Sequence, residues 1–191
     1  MGGGYLTQPA IFLVQVLFGL YATLVVLRFL LQLVRADFYN PLSQFIVRAT
    51  KPLLNPMRRL IPGVSGLDIA ALVLAWLVLT LEQTAILGLA GSGFHPGAGA
   101  LLAIPELISL IINIFLFAIL IQVILSWINP GTLNPAVGLI HSLTEPLLGP
   151  VRRRMPDMGG LDLSPMVVML GLVVLEMLLI PPVKDLVVRL M

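Results

Sequence analysis

Long apolar runs alternate with shorter segments in which apolar and polar residues are interleaved. Four of the runs are long enough to cross about 30 Å of hydrocarbon, which takes about 20 helical residues. The pattern therefore predicts four membrane-spanning helices, at residues 11–34, 69–90, 107–128 and 163–180. We expect Pro181 and Pro182 to end the fourth helix, since proline lacks the N–H that a continuing helix needs.

Two of the interleaved segments carry apolar residues at helical spacing, with polar residues on the opposite face. The stripe of the first segment consists of Leu42, Phe45, Ile46, Ala49 and Leu53. The stripe of the second consists of Ala136, Leu139, Ile140, Leu143 and Leu147. One apolar stripe with a polar back predicts a short amphipathic helix that lies in the membrane interface.

Prolines recur at matched positions in both segments. Because the residue before a proline disfavours helix, we expect Pro52 and Pro146 to end the two interfacial helices. The later prolines should leave room for only a short, stiff turn; they are Pro56 and Pro62, and Pro150 and Pro156. This turn would present two arginine pairs at the level of the lipid headgroups: Arg58 with Arg59, and Arg152 with Arg153.

The two segments belong to an internal repeat. With an offset of 94 residues, 14 of the 29 positions in residues 40–68 are identical to those in residues 134–162. We divide the chain into a first unit (1–90, with amphipathic segment 40–62), a glycine-rich external linker (91–106) and a second unit (107–191, with amphipathic segment 134–156). Two spans per unit return the chain to its starting side, so both units have the same orientation.

Composition supports the membrane assignment and excludes several chemistries. The chain is 59% hydrophobic and 10% charged, against about 25% charged in soluble domains. It has no cysteine, which excludes disulfides and thiol chemistry, and we expect no metal and no cofactor. A net charge of +2 gives no reason to expect a nucleic-acid partner. The basic residues concentrate in the two repeated segments, which predicts that these face the cytoplasm of a bacterial inner membrane.

The arginine pairs allow two interpretations. They set the topology and touch anionic lipid, or they form a specific site for an anion, a lipid headgroup or a partner protein. Asp68 and Asp162 directly precede apolar runs, where an aspartate caps a helix N-terminus.

Three ionisable residues lie within the predicted spans: Arg28, Glu82 and Glu176. We expect Arg28 to extend toward the basic side, with Asp68 or Asp162 as candidate partners. The two glutamates lie at matched depth and form a paired-carboxylate site for a cation or proton, or are solvated near the outer surface or hydrogen-bonded to a neighbouring span.

The repeated phrase "PLLNPMRRLIP…GLD" and "PLLGPVRRRMP…GLD", with four apolar runs, resembles the YggT family of bacterial and plastid membrane proteins, which includes the YlmG proteins. The resemblance covers nearly the whole chain and is to the two-unit bacterial type. It implies links to osmotic or ion homeostasis, to cell division and, in plastids, to cytochrome cofactor assembly. It implies no shared reaction, so we expect no enzyme.

Two functional hypotheses follow. In the first, the chain is a scaffold or assembly factor whose partners are membrane lipids, another membrane protein or further copies of itself. In the second, it is a small channel or transporter component in ion balance that uses Glu82 and Glu176.

Overall fold

The computed structural model describes residues 4–63, 66–128, 134–155 and 162–190. These residues form six α-helices, which confirms the predicted all-α fold. The helices are α1 (Gly4–Leu33), α2 (Pro41–Leu60), α3 (Ile69–Leu89), α4 (Pro96–Ile128), α5 (Pro135–Arg152) and α6 (Ser164–Leu190).

Four of the helices are long and apolar enough to cross a membrane, as predicted. They are α1, α3, α4 and α6, with mean hydropathy between 1.9 and 2.8. In lipid every backbone N–H and C=O must be paired within the protein, and a continuous helix achieves this. With 33 residues, α4 is about 50 Å long at 1.5 Å per residue, so it extends well beyond the hydrocarbon layer.

The four spans form an open row in the order α1, α3, α4, α6. Helix α3 packs against both α1 and α4, and α4 packs against α6, whereas α1 and α6 do not meet within the described residues. Small, fully buried side chains line the central contacts: Ala22, Ala70, Ala71 and Ala75. Gly99 of α4 lies against the backbone of α3, where an added Cβ would come within 2.9 Å of the Thr80 carbonyl oxygen. Such small residues let helices in lipid approach closely.

The prediction that Pro52 and Pro146 end the interfacial helices is wrong. Helix α2 continues through Pro52 and Pro56, and α5 continues through Pro146 and Pro150. A proline inside a helix costs about 3 kcal/mol through its missing hydrogen bond and its ring clash. Burial of the leucines that follow offsets part of this cost, because Leu54 and Leu148 are both fully buried.

Two further helix ends differ from the prediction. Helix α6 runs through Pro181 and Pro182 to Leu190, and the flanking Ile180 and Val187 are buried, so packing holds this part of the helix together. Residues 96–106, predicted as part of an external linker, form the first turns of α4, with Pro105 buried inside the helix. Its alanines and leucines are good helix formers, and the burial of Gly99, Ala103 and Pro105 offsets part of the cost of its glycines and prolines.

The two predicted apolar stripes have different surroundings. On α2, the stripe side chains Leu42, Phe45 and Leu53 are exposed, and the side facing the protein carries Thr50 and Leu54 instead. On α5, the stripe is turned inward: Leu139 and Leu143 are buried, with Leu139 packed against the end of α1. The equivalence of the two segments in sequence therefore does not extend to what their apolar faces contact.

Candidate functional site

The first arginine of each pair is joined to the aspartate ten residues later. Arg58 Nε lies 3.1 Å from Asp68 Oδ2, and its Nη2 makes a second bond to the same oxygen. Arg152 Nε lies 2.9 Å from Asp162 Oδ2. We call each of these ion pairs a latch, since it ties the end of α2 or α5 to the start of the following span.

Each latch aspartate also binds the N-terminus of that span. Asp68 is the N-cap residue of α3, and its Oδ1 accepts the backbone N–H of Ala71 at 3.3 Å. Asp162 Oδ1 accepts the N–H of Ser164, the first residue of α6, at 2.9 Å. One carboxylate thus satisfies both a helix N-terminus and a guanidinium, which couples the basic segment to the span.

The two latches differ in burial and in charge balance. The side chain of Asp68 is 5% exposed and that of Asp162 is 42% exposed. In the second unit Glu145 Oε2 also lies 3.1 Å from Arg152 Nη1, so one arginine is shared by two carboxylates. Partial burial alone would raise the pKa of Asp162, but hydrogen bonds from Ser164 and Arg152 outweigh it and hold this pKa below its ordinary value.

The second arginine of each pair is exposed. Arg59 projects from the last turn of α2, and Arg153 follows the end of α5, where its Nε donates to the Gly149 carbonyl at 3.3 Å. The arginines that looked equivalent in sequence therefore divide into one that holds the fold and one that is free to meet a ligand or lipid. Pro62 directly follows the end of α2, and Pro156 lies outside the described residues.

Arg28 does not pair with Asp68 or Asp162, contrary to the expectation. Its Nη1 donates to the Val47 carbonyl at 3.1 Å and to Thr50 Oγ1 at 2.7 Å, both on α2. The guanidinium bonds to these two polar groups of the amphipathic helix and forms no salt bridge with either aspartate. Arg28 thereby docks α2 onto α1.

The second unit repeats this docking contact with an uncharged side chain. The residue at the position of Arg28 is Gln122, and it accepts a hydrogen bond from Thr144, the counterpart of Thr50. Both threonines are fully buried. The sequence signal for this contact is the identical threonine in both copies, which is uncharged and so was not among the predicted site residues.

The two intramembrane glutamates lie in unlike environments. Glu82 is 6% exposed, and its Oε2 has no hydrogen-bond partner among the described residues, so it is not solvated at the outer surface as one interpretation expected. Glu176 is half-buried and accepts bonds from Ser109 and from Asn113 Nδ2, the latter at 3.3 Å, both on α4. Hydrogen bonding to a neighbouring span therefore describes Glu176 but not Glu82.

Helix α4 lies between these two carboxylates, since α3 and α6 do not contact each other within the described residues. The carboxylate that interacts electrostatically with Glu82 is Glu106 of α4. Glu106 was not among the predicted site residues, because the apolar pattern places it at the end of the external linker. A predicted third span that began before residue 106 would have included Glu106 among the ionisable residues within the spans.

The arrangement defines the class of the protein: a multi-pass α-helical membrane protein built from two like units, each with two spans and a latched basic helix. A family model described as CCB3/YggT matches the chain twice, at residues 7–89 and 101–183. The offset between the matches, 101 minus 7, equals the 94 residues of the sequence repeat. The chain belongs to the CCB3/YggT family.

Relatives with similar sequences span nearly the same length. The chain is 52% identical to the protein PA0392 of Pseudomonas aeruginosa over 177 residues, which cover 92% of this chain and 90% of the relative. It is 41% identical to a protein of the proC 3′ region of Vibrio alginolyticus, covering 84% and 88%. It is 35% identical to YggT of Escherichia coli K12, covering 87% and 86%. These names state no activity. No solved structure matches the chain.

Proposed function

We propose that the chain is a non-enzymatic scaffold or assembly factor of the bacterial inner membrane. Its two basic segments lie on the cytoplasmic headgroup layer and bind anionic lipid or a membrane partner. The observation that carries this proposal is the surface of α2. Exposed apolar side chains (Leu42, Phe45, Leu53) lie on one face, and the exposed cations Arg48 and Lys51 lie on the opposite face. A helix of this kind is stable with its apolar face in lipid and its cations among the headgroups.

The division within the arginine pairs supports a specific assignment of roles. Arg58 and Arg152 are engaged by aspartates, so the lipid or partner contact belongs to Arg59 and Arg153. Each cation near an anionic leaflet contributes about 1 kcal/mol of attraction, and guanidinium can bind a phosphate through two hydrogen bonds. The short connection between α3 and α4, residues 90–95, contains no lysine or arginine, which agrees with its lying on the opposite, outer side.

The proposal is tested by the lipids that remain bound to the purified protein. Native mass spectrometry of the wild type should show retained anionic phospholipid, and the double variant Arg59→Gln/Arg153→Gln should retain less. The control is Lys184→Gln/Arg189→Gln, which removes two cations near the other end of α6 and should leave retention unchanged. Equal retention in all three proteins would contradict lipid binding at these arginines.

Binding of a membrane protein partner, the other possibility in the proposal, is tested by cross-linking in native membranes. A photo-reactive amino acid at position 53, on the exposed face of α2, should trap a protein neighbour or lipid, and one at position 54, which is buried, should trap neither. Loss of the trapped protein in Arg59→Gln/Arg153→Gln would tie the partner to the same arginines. Trapping of equal amounts at both positions would show that the face has no selective contact.

A second candidate, a channel or transporter component, is favoured by one observation. Glu82 is buried, its Oε2 has no hydrogen-bond partner among the described residues, and Glu106 of α4 is a second carboxylate that interacts with it electrostatically. Buried ionisable groups in spans often mark ion or proton paths. Proteoliposomes with Glu82→Gln or Glu176→Gln should then lose ion flux, and the same variants should leave lipid retention intact. Absence of flux in the wild type would remove this candidate.

A further inference from the structure

A basic cavity of about 390 Å³ lies between the C-terminal end of α1 and the side of α2. Three arginines and two glutamines line it: Arg28, Arg48, Arg58, Gln32 and Gln44. The sequence gives no hint that these arginines meet, because 20 residues and a turn separate Arg28 from Arg48. The fold brings them together when Arg28 docks on α2.

The charges around the cavity are not balanced. Asp68 neutralises Arg58, but neither Arg28 nor Arg48 forms a salt bridge with any described residue. The cavity wall therefore carries a surplus of two positive charges. Guanidinium and carboxamide groups are hydrogen-bond donors, and together they match an anion with several oxygen atoms.

Arg28 is the strongest indication that a ligand belongs here. The residue is only 6% exposed, and its Nη1 is used by Val47 and Thr50, while its Nε and Nη2 donate to no described residue. These two donors are not among the fully buried polar atoms that lack a partner, so they keep accessible surface and can donate to an anion. Because Arg28 lines the cavity, a ligand in the cavity can supply that anion.

We propose that this cavity binds a phosphate group. Arg28 and Arg48 hold its oxygens, with Gln32 and Gln44 as further donors, while Arg58 stays paired with Asp68 in the cavity wall. Arginine suits this role because its planar fork donates two parallel hydrogen bonds to phosphate oxygens. The phosphate belongs to an anionic lipid headgroup or to a small soluble phosphate compound. The inference deepens the proposed function, on which it rests, by assigning one specific anion site to the first unit.

The second unit provides an internal contrast. At the positions of Arg28 and Arg48 it carries Gln122 and Ser142, and the counterpart of Arg58, Arg152, is bound by both Glu145 and Asp162. These three positions therefore carry no surplus of positive charge in the second unit. One phosphate site per chain follows, although the repeat would suggest two.

The test measures ligand binding to the purified full-length chain in a neutral detergent by isothermal titration calorimetry. The probes are dioctanoyl phosphatidic acid, sn-glycerol 3-phosphate and inorganic phosphate, with dioctanoyl phosphatidylcholine as a zwitterionic comparison. The variants are Arg48→Gln, which changes an exposed residue, and Arg28→Gln, which copies the residue found at position 122. The control is Lys184→Gln, which removes an exposed cation of α6 outside the cavity.

We expect one site per chain and a loss of affinity of about tenfold or more in Arg48→Gln and in Arg28→Gln, since each removes charge-assisted hydrogen bonds. Lys184→Gln should bind as the wild type does. Binding of phosphatidic acid alone identifies a lipid headgroup; equal binding of the two soluble probes identifies a soluble phosphate compound. No binding of any probe, or an equal loss in Lys184→Gln and Arg48→Gln, would overturn the inference.

The outcome is separable from that of the proposed function. If Arg59→Gln/Arg153→Gln lowers total anionic lipid retention but still binds the phosphate probe in calorimetry, both the scaffold proposal and the phosphate site are supported. Loss of the calorimetric site with normal lipid retention in Arg48→Gln would support the phosphate site alone. Unchanged affinity in Arg48→Gln together with reduced retention in the double variant would leave the scaffold proposal standing and reject the cavity site.

Discussion

Replacing Asp68 and, separately, Asp162 by asparagine perturbs two ion pairs that occupy the same position in the repeat. Asparagine is as good an N-cap residue as aspartate, so each variant keeps the cap and removes the charge that holds the arginine. Any difference between the two variants then reports on the surroundings of the latch. The sequence alone predicts equal effects, because both latches have the same residues at the same spacing.

The structure predicts unequal effects. Asp68 is 5% exposed, and removing one partner of a buried ion pair costs about 3–5 kcal/mol. Arg58 is 36% exposed and keeps Gln32 as an acceptor at 3.2 Å, so we expect a loss of about 2–3 kcal/mol in the free energy of unfolding. Asp162 is 42% exposed, and an exposed pair is worth about 0–1 kcal/mol. Arg152 also keeps Glu145.

The free energy of unfolding can be measured in mixed micelles by reversible denaturation with sodium dodecyl sulfate. The chain has two tryptophans, Trp76 in α3 and Trp127 in α4, whose fluorescence reports on the first and second unit. Asp185→Asn, an exposed change near the end of α6, serves as control. The reasoning is refuted if Asp68→Asn and Asp162→Asn destabilise equally within about 0.5 kcal/mol, or if Asp162→Asn is the more harmful.

Three further predictions concern pH, packing and docking. The pKa of Asp162 is depressed in the folded chain, so the stability that its carboxylate contributes is complete above the ordinary value of 3.8 and is lost as pH falls through the lower folded value. In that acidic range, amide hydrogen exchange at the start of α6 should rise in the wild type relative to Asp162→Asn. An equal rise in both proteins would contradict this. Gly99→Ala should destabilise by about 1–3 kcal/mol and Gly97→Ala, whose Cβ would meet nothing within 4 Å, by far less, as melting temperatures in detergent can show. Thr144→Val should cost about 0.5–1.5 kcal/mol, because it removes the hydrogen bond to the half-buried Gln122 on α4; an unchanged melting temperature would show that this contact is not formed.

Much of the fold was predictable because lipid restricts the choices. A long apolar run in hydrocarbon has little alternative to helix, so the four spans and the all-α class followed from hydropathy. Helix ends were less predictable, because proline rules describe isolated segments. Burial of Leu54 and Leu148 offsets the cost of the prolines before them, and no local pattern reveals that burial.

The candidate site was predictable in its residues but not in its pairings. Arg58, Asp68 and their counterparts were identified separately, as a lipid contact and as a helix cap. Arg58 reaches Asp68 because α2 continues past Pro52 and Pro56 and carries the guanidinium to the start of α3. The electrostatic interaction of Glu82 with Glu106 was not predicted, because the apolar pattern places the start of the third span at residue 107 and leaves Glu106 in the linker.

The central claim is that the two units have the same orientation, with both basic segments at the cytoplasmic surface. The chain contains no cysteine, so single variants Arg59→Cys and Arg153→Cys can be labelled cleanly with a membrane-impermeant maleimide. We predict that both react in inverted membrane vesicles and neither reacts in intact spheroplasts, with Lys184→Cys giving the opposite result. Labelling of positions 59 and 153 from opposite sides of the membrane would contradict the account.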